Sequence, residues 1–275
     1  MHLGREQVIA AHEIDGLIVD PGPSSCVDTL LKALGGEQPR ALLLTHIHLD
    51  HAGAAGALVR RFPELEVYVH ERGAPHLVDP SRLLESAGRL YGDDMERLWG
   101  EVAPVPHANL RTLEGGEEVE GLEVIYTPGH ASHHVCYFDP HAGEAFVGDM
   151  AGVRTPPDEF TLAPTPPPDI DVEAWERSLD EIAAWGPDAI CLTHFGRYTD
   201  VDAQIERVRA ALDGQLAFAR ENGLEGFVSA YESQLRSACG EEGAAARLQA
   251  APPDQLYAGL DRYQRKRAQR AAGER

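Results

Sequence analysis

The chain has 275 residues, of which 43% are hydrophobic and 25% are charged, as in one large soluble globular domain with an ample core. Its net charge of −21 disfavours nucleic-acid binding, because that affinity comes largely from lysine and arginine side chains that neutralise phosphates. The four cysteines form no CxxC pair, and no apolar run reaches the roughly 18 residues of a membrane-spanning helix, so we expect neither a disulfide framework nor a membrane protein.

The first half of the chain alternates strand-like and helix-like segments, which predicts an α/β fold class. A hairpin of "QVIAAHEID" and "GLIVD" comes first, followed by a helix over 24–34. The apolar run "ALLLTH" indicates a buried strand, and a helix over 52–62 follows it, ended by Pro63. The strand "EVYVH" closes this part.

The second half begins with a helical insertion over 81–100. Three strands in close succession, a proline-rich loop over 154–171, the helix "VEAWERSLDEIAAW" and the strand "AICLTH" follow. Beyond them, alanine, leucine, arginine and glutamate recur with helical periodicity and no strand signal. We therefore predict an α/β domain over 1–199 and a helical extension over 200–275, which packs on that domain or on a second copy of the chain.

Several predicted strands end in a side chain that can bind a metal ion. The strand "GLIVD" ends in Asp20, and "ALLLTH" ends in His46. The later strands place His130, Asp149 and His194 at or just beyond their ends. Because ligands of open α/β sheets bind beyond the carboxyl ends of the strands, we expect these groups to share one edge.

The stretch "THIHLDHAG" supplies the densest group of candidate ligands. His46 and His48 are two residues apart on extended chain, so their imidazoles share a face and can bind one ion. Asp50 and His51 come at the turn into the next helix and project from another part of the loop. Two pairs of ligands indicate two neighbouring ions.

The predicted centre is dinuclear, with an open position on each ion for a shared water molecule. Histidine and carboxylate ligands without cysteine suit zinc, with iron or manganese as alternatives. The ligands are assigned as follows: His46, His48 and His130 for one ion, Asp50, His51 and His194 for the other, and Asp149 as the bridge.

The motifs "THIHLDH", "TPGH", "GD" and "THFG", in this order, resemble those of the metallo-β-lactamase superfamily over about residues 8–196. They are most similar to its glyoxalase II-like branch, and within it to a subgroup of prokaryotic hydrolases. The resemblance implies a four-layer αββα sandwich with the metals at one edge of the two sheets. It also implies that Asp20 supports the site without binding metal. True zinc β-lactamases lack an aspartate at the position of Asp149, so antibiotic hydrolysis is disfavoured.

The chemistry expected of such a centre is hydrolysis of a small ester, thioester or lactone. A hydroxide that bridges the two ions would attack the carbonyl. Asp50 would orient this nucleophile and carry a proton to the leaving group. In such folds, elements around the metal centre determine the substrate. Here we expect these elements to be the segments 81–100 and 154–171 and the C-terminal helices.

Two alternatives stay open from the sequence. A persulfide dioxygenase with a single iron uses similar residues. A metal-binding interaction module with weak catalysis would use the helical extension as its contact surface. The expected partner of the enzyme is a small molecule, and the expected location is the cytoplasm, because the first residues do not resemble a secretory signal.

Further residues near the motifs have weaker assignments. Relatives of the glyoxalase II and lactonase types carry a histidine at the position of His134, and we expect it to buttress a ligand. His133 would face the other way on the same strand and take no part. Tyr198 would donate a hydrogen bond to a substrate carbonyl, as a tyrosine in lactonases does, or be an ordinary loop residue.

Overall fold

The computed structural model describes residues 2–273 and contains two main β-sheets. The first sheet has five strands in the order β1-β2-β3-β4-β5, in which β1 is antiparallel to β2 and the other neighbours are parallel. Its strands are β1 (His12–Ile14), β2 (Leu17–Val19), β3 (Ala41–Leu43), β4 (Glu66–His70) and β5 (Leu110–Leu113).

The second sheet has six strands in the order β13-β12-β9-β8-β7-β6, and only the β9–β12 pair is parallel. Two short strands, β10 and β11, form a separate antiparallel pair. The strands are β6 (Glu118–Val119), β7 (Leu122–Tyr126), β8 (Val135–Asp139), β9 (Glu144–Gly148), β10 (Val153–Arg154), β11 (Thr161–Leu162), β12 (Ala189–Leu192) and β13 (Gly196–Tyr198).

Nine α-helices lie in the described part of the chain. The last two are much longer than the rest, and left-handed dihedral angles at Gly223 and Gly240 interrupt the longer one. The helices are α1 (Val27–Ala33), α2 (Leu49–Ala52), α3 (Ala55–Arg61), α4 (Ala74–Val78), α5 (Ser81–Tyr91), α6 (Met95–Trp99), α7 (Val172–Ala184), α8 (Val201–Ala250) and α9 (Pro253–Gly273).

Side-chain alternation along the strands divides the interior into layers. In β8, Tyr137 belongs to the core between the two sheets, whereas Cys136 and Phe138 belong to the core beneath α7, α8 and α9. In the first sheet, Leu43 faces the second sheet and Leu42 packs under α1, α3 and α4. Both sheets are therefore buried on both faces, which confirms the predicted four-layer αββα sandwich.

The helical extension packs on the outer face of the second sheet and on the segment 154–171. Ile205 and Val208 are buried in the same core as the strands of that sheet. Gln215 of α8 donates to the main-chain oxygen of Ala163 at 2.9 Å and accepts from its nitrogen at 2.8 Å. The extension thereby holds this loop in place. Within residues 2–273, no helix combines the length and the apolar character that a membrane crossing needs.

Some elements differ from the prediction in detail. The segment 154–171 is not loop throughout, because Arg154 ends β10 and β11 lies within the segment. The helix predicted over 52–62 corresponds to α3, and the short helix α2 precedes it. The strands β10 and β11 have two residues each and pair with each other, which is too short for a periodic pattern in the sequence.

A pair of glycine substitutions tests how the extension packs. A Cβ atom on Gly259 of α9 would lie 1.9 Å from the carbonyl oxygen of Thr165, whereas one on Gly214 of α8 would meet nothing within 4 Å. We expect Gly259→Ala to lower the free energy of unfolding by about 1–3 kcal/mol through overpacking. Gly214→Ala should raise it by roughly 0.5–1 kcal/mol through helix propensity. Chemical denaturation measures both, and an equal gain in the two variants would contradict this packing.

Candidate metal centre

The structure brings all seven predicted ligands together at one end of the sandwich. They lie just beyond strand ends: His46 and His48 follow β3, Asp149 follows β9, and His194 follows β12. Three groups of these residues each have ligand atoms within 4.8 Å of one another. The groups are His46, His48 and His130; His46, His51 and Asp149; and Asp50, His51 and His194. The first and third are the two predicted ligand sets.

Asp149 lies between the two sets. Its Oδ2 atom is 3.2 Å from Nε2 of His130, in the first set. Its Oδ1 atom is 3.3 Å from Nε2 of His51 and 3.6 Å from Nε2 of His194, both in the second set. Since each oxygen of the carboxylate faces one set, Asp149 has the geometry of a bridging ligand.

The outer nitrogens of the ligand rings are anchored to the protein. Nδ1 of His130 donates to the carbonyl of Pro164 at 2.8 Å, and Nδ1 of His194 donates to the carbonyl of Val8 at 2.6 Å. These hydrogen bonds fix the orientation of each ring, so Nε2 is the atom that faces the centre and is available to a metal ion. The loops that contribute these carbonyls therefore orient the ligands.

Asp20 has the supporting position that the resemblance implies. Its buried carboxylate accepts hydrogen bonds from Nδ1 of His51 at 2.7 Å and from the hydroxyls of Thr45 at 2.7 Å and Thr193 at 2.8 Å. The main-chain nitrogen of Thr45 donates to its other oxygen at 2.8 Å. The hydroxyl oxygen of Thr45 also lies 3.1 Å from Nδ1 of His46. Asp20 thus orients one ligand directly and another through Thr45.

Several buried polar atoms at this centre have no hydrogen-bond partner among the described residues. They are Nε2 of His46, Nε2 of His51 and Oδ1 of Asp149. Such atoms are unfavourable in an interior unless something satisfies them. All three are good ligands for divalent ions, and all point into the same cluster. The residues present therefore fit a metal centre.

Three of the histidines are held neutral. Burial lowers the pKa of His48 to about 3, with a contribution from the neighbouring His130. Burial likewise lowers the pKa of His46 and of His130. Because a metal ion binds the neutral imidazole, these rings need not lose a proton before they bind it.

In the other ligand set, nearby carboxylates outweigh the effect of burial on the pKa of the histidines. Burial lowers the pKa of His51, but the carboxylates of Asp149, Asp20 and Asp50 outweigh it and raise the pKa well above its ordinary value. The pKa of His194 is raised in the same way by Asp149 and Asp50, against the effect of burial. Without metal, these rings hold protons that a bound ion must displace.

His134 and His133 both lie against the ligands. The ring of His134 stacks on that of His46 with centroids 5.0 Å apart, which is the expected buttressing position. The expectation for His133 is wrong, because its buried ring lies 5.8 Å from that of His48. Strand alternation does not apply to His133, since it lies in a turn and β8 begins only at Val135.

Tyr198 does not point towards the metal ligands. Its hydroxyl lies 2.8 Å from the carbonyl oxygen of Arg154 and 2.9 Å from that of Phe195, so it donates its hydrogen bond to the main chain. The Arg154 guanidinium packs over its ring at 4.0 Å. This placement contradicts the predicted contact with a substrate carbonyl and supports the alternative of an ordinary structural tyrosine.

A cavity of about 290 Å³ opens beside the ligands His48, Asp50 and Asp149. Three elements form most of its apolar wall, and they are the three that the sequence predicted to choose the substrate. The helices α5 and α6 contribute Leu83, Ala87, Leu90, Tyr91 and Trp99. The proline-rich segment contributes Pro164, Pro166, Pro167 and Pro168, and the junction of α8 with α9 contributes Ala250, Ala251, Pro252 and Leu256. The walls are mostly apolar.

Substitution of Asp20 tests whether its carboxylate orients the metal ligand His51. We expect Asp20→Asn to weaken zinc binding about 10- to 100-fold, because His51 loses the charged acceptor that orients it. Competition with a chromophoric chelator measures the affinity. Asp28→Asn, on the exposed face of α1, is the matched control and should bind zinc like the unaltered protein. Equal affinities of the two variants would contradict the role of Asp20.

The raised pKa values of His51 and His194 predict that metal uptake releases protons. At neutral pH we expect zinc titration into the metal-free protein to release about one or more protons, because the ion replaces them. Affinity should fall as the pH decreases, since protonation then competes with the metal. Calorimetry in buffers of different ionisation enthalpy counts the protons. Binding without proton release, and with no dependence on pH, would contradict this assignment.

Comparison with known proteins places this centre in a family. A sequence model of the Metallo-beta-lactamase superfamily matches residues 8–194. The chain is 32% identical over 142 residues to a hydroxyacylglutathione hydrolase from Aeromonas hydrophila, a match that covers 50% of this chain and 43% of that protein. It is 29% identical over 162 residues to the metallo-beta-lactamase fold-containing protein ST1585 from Sulfurisphaera tokodaii, covering 56% of this chain and 60% of that one. These matches span about half the length of the curated relatives.

Solved structures show the same fold. The archaeal metallo-beta-lactamase superfamily protein ST1585 from Sulfolobus tokodaii aligns with a TM-score of 0.70 and 23% identity, over 93% of each chain. TTHA1623, solved in a di-iron-bound form, aligns with a TM-score of 0.55 and 25% identity, over 74% of this chain and 96% of that one. Because the family match covers well over half of the chain and includes all seven ligands, the chain belongs to the metallo-β-lactamase superfamily.

Proposed function

We propose that this protein is a metal-dependent hydrolase that cleaves a small ester, thioester or lactone. The observation that carries the proposal is the geometry of Asp149, whose two oxygens face two sets of ligand atoms beside an apolar cavity. A single metal ion would leave one of these sets unused. The name of the hydroxyacylglutathione hydrolases supports an acyl thioester as one substrate class to examine.

The residues of the chain have distinct roles in this reaction. Two bound divalent ions, which we propose to be zinc, would supply a hydroxide at neutral pH and polarise the carbonyl. Asp50 lines the cavity with its side chain about one-fifth exposed, and its Oδ2 atom lies 3.2 Å from Nε2 of His194. From this position it would hold the nucleophile by a hydrogen bond and pass a proton to the leaving group. The apolar walls would keep bulk water away from the reacting carbonyl.

A small-molecule substrate fits the enclosed site. The cavity of about 290 Å³ lies near the lower end of the range of roughly 300–1,000 Å³ that is usual for ligand sites. The net charge of −21 argues against a nucleic-acid substrate. We propose that the extension serves the site by forming one wall of this cavity, and a second copy of the chain is not required for that wall.

Hydrolysis by the zinc-loaded protein is the first test of this function. We expect turnover of at least one class in a panel of small thioesters, esters and lactones. In the same assay, Asp50→Asn should lower kcat by about 10²- to 10⁴-fold, as expected for the loss of a proton-transfer group. Metal analysis of the variant separates this effect from loss of an ion, since Asp50 is also a ligand.

Tyr198→Phe is the matched control, because the hydroxyl of Tyr198 lies against main-chain carbonyls and away from the cavity. We expect its kcat and KM to match those of the unaltered protein. Oxygen uptake with glutathione persulfide, without hydrolysis of the panel, would replace the proposal with the dioxygenase. Full metal content with neither activity would favour the interaction module.

A further inference from the structure

The cavity beside the metal ligands is mostly apolar, but polar and charged side chains also line it. Arg72, which follows β4, and Arg82, in the first turn of α5, both line it. His133 lines it as well. The lining residues include one carboxylate outside the metal ligands, Asp169, and the hydroxyl of Ser132 already donates to it at 2.5 Å. Outside the metal ligands, the described lining therefore has two guanidinium groups against one carboxylate.

Arg72 is held in place by a chain of hydrogen bonds. Its Nη1 atom donates to the hydroxyl of Tyr126 at 2.8 Å, and its guanidinium packs over the same ring at 5.4 Å. The Tyr126 hydroxyl donates in turn to the carbonyl of Ser132 at 2.9 Å. Tyr126 carries no negative charge, so within residues 2–273 the exposed guanidinium of Arg72 has a phenol and not a carboxylate as its hydrogen-bond partner. An arginine ordered in this way loses less freedom when it binds an anion.

Two other polar groups line the cavity. Arg82 is exposed to solvent, and its charge also acts on the nearby carboxylate of Asp79. Nδ1 of His133 is buried without a partner within residues 2–273, and the residue is only 9% exposed. A buried polar atom of this kind is unfavourable unless a ligand or water supplies its partner. Because this nitrogen donates or accepts according to the tautomer of the ring, His133 is evidence that the cavity is built to receive a ligand with a polar group.

We propose that the cavity binds an apolar acyl chain that carries a second anionic group, a carboxylate or a phosphate, away from the scissile carbonyl. The chain would lie between α5 and the proline-rich segment, and the anion would meet Arg72 and Arg82. This inference rests on the proposed function, which defines the carbonyl end of the substrate. A six-carbon chain with two anionic ends is a small molecule of the size that such a cavity of about 290 Å³ admits.

Adipate and hexanoate test this inference without any turnover. Each has six carbons and one carboxylate for the metal end, and only adipate has a second carboxylate. We expect the zinc-loaded protein to bind adipate about tenfold more tightly than hexanoate, as measured by calorimetry. A net charge of −21 repels the dianion from the rest of the surface, so this preference requires a local cationic site.

Substitution of the two arginines tests whether they cause the preference for adipate over hexanoate. Arg72→Gln and Arg82→Gln should each reduce the ratio of the two affinities, and the double variant should bring it close to one. Arg89→Gln is the matched control, because Arg89 lies on the same helix α5, pairs with Glu85 and does not line the cavity. It should keep the ratio of the unaltered protein. Thermal unfolding of each variant verifies that it is folded.

The results separate this inference from the proposed function. Equal binding of adipate and hexanoate by the unaltered protein would overturn the inference, and so would an unchanged ratio in the double variant. If the protein prefers adipate but hydrolyses no ester, thioester or lactone, the hydrolase proposal fails and the anion site stands. If it hydrolyses the panel but shows no preference, the inference alone fails.

Discussion

The buried carboxylate of Asp20 is the constraint on which the rest of the centre depends. It follows β2 of the first sheet, and it binds Thr45 beyond β3 and Thr193 beyond β12 of the second sheet. One side chain thus joins the ends of both sheets at the edge where the ligands emerge. It also binds Nδ1 of His51, so the same interaction that holds the layers together orients a ligand. Asp20 therefore serves both the packing of the two sheets and the orientation of a ligand.

The ligand cluster is a polar inclusion in an otherwise apolar sandwich. Nε2 of His46 is buried and lacks a partner among the described residues, which opposes folding in the absence of a cation. Metal binding would satisfy this atom and add to the stability of the folded state. The carboxylates raise the pKa of His51 and His194, so the metal-free centre reduces its own negative charge by holding protons. Protons and metal ions then compete for the same positions.

The two sheets fix the ligands, whereas elements outside the sheets form the cavity. The segment α5–α6, the proline-rich segment and the α8–α9 junction meet only in the tertiary structure. Contacts far from the ligands hold the walls together, such as that of the buried Arg247 with Asp158 at 2.6 Å. The metals would supply a general chemistry, and these walls and their arginines would select the acyl group that reaches it.

The sequence by itself determined the fold class and predicted the seven candidate ligands. Strands that are buried on both faces are continuous apolar runs. Runs such as "ALLLTH" and "AICLTH" end in candidate ligands, and the ends of strands in one sheet lie along a common edge. Only the tertiary structure decided the roles of Tyr198 and His133. Tyr198 meets the carbonyl of Arg154, 44 residues away, and His133 reaches His48 across the site. His133 lies in a turn, which has no periodicity to reveal the direction of a side chain. Tyr198 ends the three-residue strand β13, and its neighbours depend on how distant segments pack.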